Sequence, residues 1–492
     1  MLKGRGITIL FLLLGIMWIP AQGQEWLGLS TNNYSGIWGG QMNPASLTGN
    51  KTYLDINLIG GGLNFSNNFA YIPKDDYSLF YLITADTIIP IYGKYRYNGY
   101  YTYYKNKNPK WMVMNNRITG PSALYQFNKD AFAVSFSFRT AASGVNVPWE
   151  LLVFMYEDLS YPPLQGIRFK DQDFSISELS WEEMSFSYAR EIYNRYGNTV
   201  SVGITGKLLF GLAGGYSDFP DVDYKAIDSK TVHFYHFNAD VAFSIPESGL
   251  KNVALNPFNS SGFGLGADIG IVYTKLKNRY GTTKGKRPCA TPYADYQYKI
   301  GLSLIDIGGI SFNKNTEFHT FDVENIEVSS TDLDSLKGMP ADFGMRYLSK
   351  LLTGDSLASL VDNRMRIGLP TAVNLQFDWH PAGPYYISMI WVQPLHFHLK
   401  DVKRAAQLAL IPRYETRWLG VSLPVSLLQY QKPRIGLALR LYTFTVGTEC
   451  LGTILNFSNL DNVDIYFSLK LSLDKGLCNP YKRGACDKGE IR

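Results

Sequence analysis

Charge is scarce in this chain. Lys, Arg, Asp and Glu together make up 18% of its 492 residues, against the roughly 25% usual for soluble domains. The net charge is only +5, too weak for the dense basic surface that nucleic acid requires, so no nucleic-acid partner is expected. Cysteine is scarcer still, with 4 in the whole chain, which excludes a disulfide framework as the organiser of the fold. Histidine numbers 6. His396 and His398 share one face of an extended segment and His233 and His236 stand three apart, but no third ligand is tied to either pair by spacing, so no metal is expected. No motif sets Ser, His and Asp in a catalytic arrangement, and no catalytic residue is assigned. Gly262-x-Gly264-x-x-Ala267 has the spacing of a dinucleotide loop, yet it lies inside a strand-like segment with no helix after it, so no cofactor is expected. Beyond residue 23 no apolar run reaches 18 residues, which removes the membrane helix.

What is abundant is aromatic and glycine residues: 34 Tyr, 28 Phe and 45 Gly. Residues 1–23 read as a secretory leader. Lys3 and Arg5 open it, Ile7 to Ile19 is its apolar run, and Ala21-Gln22-Gly23 is a small-x-small cleavage site. An exported chain without apolar helices that enters a membrane must do so as a closed barrel, because nothing else satisfies its backbone in lipid.

The pattern supports that barrel. From Asp130 to Thr140, Phe132, Val134, Phe136 and Phe138 alternate with Ala131, Ala133, Ser135, Ser137 and Arg139. One face is apolar and the other small and polar, which is the period of a strand with lipid on one side. Asn128-Lys129-Asp130 turns the chain back on the preceding segment. The same alternation recurs at 51–68, 184–191, 200–207, 232–245, 262–275, 296–306, 318–328, 369–379, 386–393, 408–423, 435–444, 463–473 and, more weakly, 445–456. Fourteen or fifteen candidates result, and the even number that such barrels use selects fourteen. The expected fold is therefore all-β: a transmembrane antiparallel barrel with short helical inserts at 147–159, readable as a short helix or a lumen insert, and at 332–363, readable as a helical loop or a plug. Charges on the polar phase are candidates for the lumen: Arg139, Glu183, Lys207, Asp240, Asp268 and Asp378, with Glu191, Arg440 and Lys470 beside them. They could bind a passing solute or brace a filled barrel. Tyr92 to Tyr104 is a tyrosine-rich stretch, readable as a recognition loop or as a long outer loop beside an aromatic belt. Cys478 and Cys486, close together in the final segment, are a candidate disulfide.

The Gly/Asn-rich segment after the leader, with Asn43-Pro44-Ala45, resembles the N-terminal hatch of FadL-type fatty-acid transporters and their PorV-like relatives. Gly262 to Tyr273, Tyr298 to Phe312, Leu369 to Trp379 and Asp464 to Leu473 are similar to strands of Bacteroidota outer-membrane barrels of undefined function in that superfamily. The resemblance implies a leader at 1–23, a lumen hatch at 24–50 carried by Asn43, Pro44 and Ala45, a barrel at 51–473 and a periplasmic tail at 474–492. It places the chain in the outer membrane, in contact with its lipid, with both termini periplasmic. Two functions follow from it: passage of a hydrophobic or amphipathic ligand, or a non-transporting scaffold for the secretion or attachment of surface proteins.

Overall fold

The computed structural model describes residues 25–88, 91, 100–246, 260–277, 293–336, 338–395 and 400–475. Twenty-one hydrogen-bonded segments form one antiparallel sheet. Several of them are collinear, so the sheet closes on itself as fourteen strands. These are β1 (Thr52–Asn67), β2 (Lys110–Thr119 with Ser122–Phe127), β3 (Asp130–Val147), β4 (Arg168–Arg195) and β5 (Asn198–Ala226). Next come β6 (Thr231–Ser244 with Gly262–Leu276), β7 (Tyr296–Phe312 with Thr316–Ser329) and β8 (Leu360–Asp362, Met365–Gly368 and Ala372–Ala382). The circuit finishes with β9 (Tyr385–Pro394), β10 (Gln407–Glu415), β11 (Leu419–Ser422 with Val425–Leu428), β12 (Lys432–Ile435 with Leu437–Leu441), β13 (Phe444–Thr448) and β14 (Asn462–Asp474). β14 pairs with β1 from Thr52↔Asp474 to Ser66↔Asn462, which closes the ring and leaves no edge.

The number fourteen is reached by a route that alternation did not reveal. Residues 231–244 and 262–276 read as two separate strands, yet both lie along β5, the first beside 226–214 and the second beside 211–198. They are one strand of the wall, interrupted where the chain leaves it. β7 breaks at the same height, between Phe312 and Thr316.

Period-two burial identifies the two faces. Large apolar side chains stand exposed around the circuit, from Ile56 on β1 through Phe136, Phe186, Ile204, Leu265, Leu302, Leu375 and Leu410 to Leu469 on β14. Such a continuous apolar ring is stable only against lipid. Tyr193, Tyr196, Trp379, Tyr385 and Trp418 are exposed near the ends of their strands, at the level where amphipathic rings favour the membrane–water boundary. No helix among the described residues is long and apolar enough to cross a membrane. The barrel is therefore a transmembrane one.

The wall is uneven in height. A crossing needs about 9–11 residues of tilted strand. β13 has 5 residues, whereas β4 has 28 and β5 has 29, so the latter pair extends over roughly 90 Å along the strand. One rim carries the tight turns at Asn128, Tyr196-Gly197 and Gly383 together with the start of β1 and the end of β14. The other rim carries the long connections 68–109, 148–167, 330–359, 395–406 and 449–461.

After α1 (Leu27–Ser30) and α2 (Ile37–Met42) near the start of the chain, five short α-helices among the described residues belong to that second rim: α3 (Leu79–Thr84), α4 (Trp149–Glu157), α5 (Ser330–Ser335), α6 (Ala341–Thr353) and α7 (Leu451–Ile454). The insert at 332–363 is not a plug. α6 packs through Met345, Leu348 and Leu352 on Phe237 and Phe321, which lie on the row opposite to the lumen-facing Asp240 and Thr320. α4 likewise packs on Phe174 and Ile176, on the face of β4 opposite to Trp181 and Glu183. Both helices cover the outside of the tall part of the wall. Tyr101, Tyr103 and Tyr104 of the tyrosine-rich stretch are used in this packing: Tyr103 meets Phe69 and Tyr156, and Tyr104 stacks on Tyr71. Tyr92, Tyr95 and Tyr97 lie outside the described residues.

Candidate functional site: the plugged lumen

Residues 25–50 occupy the lumen. Two short helices, Leu27–Ser30 and Ile37–Met42, lead into a 3-10 turn at Pro44–Gly49. Asn43 starts that turn, accepting the Ala45 amide on its side-chain oxygen at 3.0 Å. Its Nδ2 donates outward to the backbone carbonyls of Ile271 (3.2 Å) and Leu302 (3.4 Å) on the barrel wall. This close approach needs a bare wall. A Cβ at Gly270 would stand 2.1 Å from the Asn43 side-chain oxygen, and one at Gly203 would stand 2.5 Å from the Ala45 nitrogen and the Pro44 carbonyl carbon. The glycines of β5, β6 and β7 are thus a seat for Asn43, Pro44 and Ala45. The Gly262-to-Gly270 series belongs to barrel packing, as its strand period indicated.

The rest of the plug is tied down by polar side chains. Ser303 Oγ and Asn374 Nδ2 donate to the Met42 carbonyl at 2.6 and 3.1 Å. Gln126 donates to the Thr48 carbonyl at 2.6 Å, and Thr48 donates to Ser201 at 2.9 Å. Trp38 Nε1 donates to Ser468 Oγ at 2.9 Å, its ring lying where a Cβ on Gly60 would be. The Leu27 amide donates to Glu449 at 3.0 Å. Among the described residues, no backbone-to-backbone hydrogen bond joins 25–50 to the wall strands. Between plug and short-turn rim lies a polar cavity of about 210 Å³, lined by Asn33, Thr48, Ser201 and Lys299 among others.

Four of the six predicted lumen charges meet in one buried cluster. Arg139 donates to Glu183 at 2.9 Å and, through both terminal nitrogens, to Asp306 at 2.8 and 2.9 Å. Lys207 lies 2.6 Å from both Asp268 and Asp306. Arg404, from the described 400–406 part of the connection after β9, reaches Asp306 and also Glu25 at the start of the plug. Arg117 stands beside them and donates to Gln41 of the plug. Four cations thus face four carboxylates.

Asp306 is the centre of this cluster, and sequence reasoning missed it. Ile305 and Asp306 both face inward, the first against Leu27 and Met42 and the second on Arg139. Asp306 has a φ of 55° and the β6–β7 register slips there, which is a β-bulge. The alternation loses its phase at this point, so the strand reads as ending at Asp306.

Asp378 belongs elsewhere. Arg413 donates to it at 2.8 Å and Tyr296 at 2.6 Å; Arg413 also pairs with Glu415 at 2.8 Å, and Glu415 accepts from Asn33 of the plug at 2.9 Å. Lys470 pairs with Asp55 at 2.8 Å and donates to the Tyr34 carbonyl of the plug. Arg440 lies over the Tyr34 ring. Asp240 is outside all these groups, its partners being Lys400 at 3.0 Å and Thr320 at 2.8 Å, with the side chain 28% exposed. Glu191 lines the polar cavity at the rim.

His236 sits in the part of the wall that rises above the apolar ring. Asp221 (2.7 Å) and Asp322 (3.1 Å) bracket it, and hydrogen bonds to these carboxylates raise its pKa above the usual 6.5. His233 faces Glu327. No cluster of three metal-ligating side chains exists among the described residues. His396, His398, Cys478 and Cys486 lie outside them.

Fold and site define a transmembrane β-barrel whose lumen is filled by its own N-terminal segment. The chain belongs to a family of unknown function, DUF5723, whose profile matches residues 44–449. No curated protein matches it. Among solved structures it is similar to the toluene transporter TbuX of Ralstonia pickettii, at 8% identity and a TM-score of 0.41 over 93% of this chain and 99% of that one. It is also similar to the CymD monoaromatic hydrocarbon channel (8%, TM-score 0.32, 93% and 98%) and to a FadL homologue of Pseudomonas aeruginosa (7%, TM-score 0.22, 93% and 99%).

Proposed function

We propose that this protein is an outer-membrane barrel that passes a hydrophobic or amphipathic small molecule, with residues 24–50 acting as a hatch. The observation that carries the reading is how the plug is held: by side-chain hydrogen bonds, ion pairs and apolar contacts such as Leu27 and Met42 with Ile305 and Ile390, with no strand pairing to the wall among the described residues. None of these contacts belongs to the backbone ladder of the barrel, so the hatch can leave while the barrel stays closed; its hydrogen bonds exchange for water at about 1 kcal/mol each, and at about 1.5–3 kcal/mol where a charged group takes part. The sequence resemblance to FadL-type transporters supports the same reading. A hydrophobic ligand is supported by an apolar cavity of about 370 Å³ beside α4, lined by Phe65, Met112, Leu152 and Tyr156 among others, within the usual size range for small-molecule sites. Tight turns and chain ends share one rim, the arrangement that bacterial barrels present to the periplasm. Both termini, including the 474–492 tail, are accordingly assigned there.

The test is conductance and uptake. Deletion of 43–46 is expected to raise single-channel conductance in planar bilayers and to change uptake of apolar solutes by whole cells. A deletion variant that still forms the barrel and conducts no more than the parent refutes the hatch. The scaffold alternative is implied by the resemblance to PorV-like barrels, and no observation among the described residues favours it.

A further inference from the structure

Among the described residues, Glu178 is the one acidic side chain in an apolar chamber on the outside of the barrel wall, and its buried Oε2 has no hydrogen-bond partner. It lies on β4 two residues from Ile176, on the row opposite to the lumen-facing Leu179 and Trp181. α6 roofs this row, leaving a cavity of about 160 Å³ lined by Ile176, Phe237, Phe243, Phe321 and Leu348 around Glu178. Glu178 is 5% exposed, its Oε2 has no hydrogen-bond partner, and among the described residues no charged group stands near enough to compensate it. Ile176 also lines the 370 Å³ apolar cavity beside α4, so the two chambers adjoin across one side chain. A cavity near 150 Å³ holds a molecule the size of benzene. Burying a carboxyl without a partner is unfavourable, and folding alone offers no return for it here. The cost is recovered when a bound molecule supplies the missing donor.

We propose that the paired chambers under α4 and α6 bind a small amphipathic molecule, its ring or short alkyl body against Ile176, Phe237 and Phe321 and a hydrogen-bond donor, ammonium or hydroxyl, on Glu178. This rests on the reading of a hydrophobic or amphipathic ligand given above. It does not depend on movement of the hatch, because the chambers are on the outer face of the wall.

The test uses the full barrel in mild detergent, equilibrium dialysis against empty micelles, and three probes with one body: phenethylamine, 2-phenylethanol and ethylbenzene. At least one donor-bearing probe is expected to bind about tenfold or more tighter than ethylbenzene, the gain typical of a hydrogen bond to a charged or buried acceptor. Preference for the amine over the alcohol identifies an ammonium ligand, and comparable binding of the two identifies a neutral donor. Glu178→Leu is expected to abolish the preference while keeping ethylbenzene, and Glu178→Gln to remove the preference for the amine alone. Glu178→Leu should also raise the thermal unfolding midpoint of the ligand-free barrel, because it removes an unpartnered buried carboxyl. Equal binding of the three probes, no binding of any, a preference that survives Glu178→Leu, or a lower midpoint for that variant would each overturn the proposal. Its failure leaves the conductance of the 43–46 deletion unaffected, so the two readings fail separately.

Discussion

Replacing Asp306 with Asn tests whether the buried charge cluster holds the plug and the 400–406 segment in place. The substitution preserves shape, and Asn accepts the positive φ of 55° found there. What changes is the charge. Asp306 accepts from Arg139 through two nitrogens, from Lys207 at 2.6 Å and from Arg404. Arg139 is 1% exposed and Lys207 5%, so water cannot take over. Removing one partner of a buried pair typically costs about 3–5 kcal/mol, because a cation is left uncompensated. Here three cations share the carboxylate, while Glu183, Asp268 and Glu25 retain part of the compensation, so the lower end, about 3 kcal/mol, is expected. Asp240→Asn is the matched control: its partner Lys400 is 36% exposed, and such pairs contribute about 1 kcal/mol or less. The assay is urea unfolding in lipid vesicles, followed by tryptophan fluorescence. Trp181 reports directly, with the Arg139 guanidinium 4.6 Å from its ring. An Asp306→Asn barrel within about 0.5 kcal/mol of the parent, the range of an ordinary surface substitution, refutes the reasoning.

Gly203→Ala places a Cβ 2.5 Å from plug backbone, so residues 37–49 should exchange amide hydrogens faster while the wall strands keep their protection; unchanged exchange in 37–49 would show that the plug does not rest on Gly203. Ile204→Arg puts a charge on the lipid face of β5, where Ile204 is 53% exposed. A loss of about 2–4 kcal/mol is expected if that position is near the bilayer midplane, and vesicle refolding measures it. For His236 the folded pKa is raised by Asp221 and Asp322, so the charged imidazolium adds stability that is fully present below about pH 6.5. That contribution disappears as pH rises through the raised value. An NMR titration of the ring should give a midpoint above 6.5 that returns to it in Asp221→Asn/Asp322→Asn.

The membrane wall was legible because lipid on one side and a filled lumen on the other impose a strict period of two, and Phe132 to Phe138 or Val463 to Leu471 carry it without interruption. The phase also gave Arg139, Glu183, Lys207 and Asp268 as inward charges, and the structure joins these four. Bulges hid the rest. At Asp306 two successive side chains face inward, and the period cannot express that. The interruption of β6 between Ser244 and Gly262 made one strand read as two. Arg404 and Glu25 lie on segments without any period, so their part in the cluster depends on folding of the 400–406 segment and the plug together. α4 and α6 were legible as helices, but nothing local says on which face of a wall a helix lies. That is set by which row of β4 to β7 carries Ile176, Phe237 and Phe321.

The same alternation explains why the plug is bound as it is. A strand that gives its apolar row to lipid has only its other row for the lumen, and much of that row is small or polar, which leaves room for the plug. A plug entering such a lumen meets hydroxyls, amides, charges and bare glycine backbone, together with apolar patches: Leu124, Ala131 and Tyr466 beside Trp38 and Leu47, and Ile305, Ile390 and Ile411 beside Leu27 and Met42. Trp26 and Trp38 pack where Gly62 and Gly60 expose the wall, and Trp26 also stacks on Tyr466. Attachment is therefore a set of side-chain contacts: these apolar patches, ion pairs, and hydrogen bonds worth about 1 kcal/mol net each because water competes for both partners. Strand addition would have been permanent by comparison, since pulling out a paired strand opens an edge in lipid that nothing satisfies. A plug held by side chains can leave as a unit, and the barrel loses no backbone pairing when it goes.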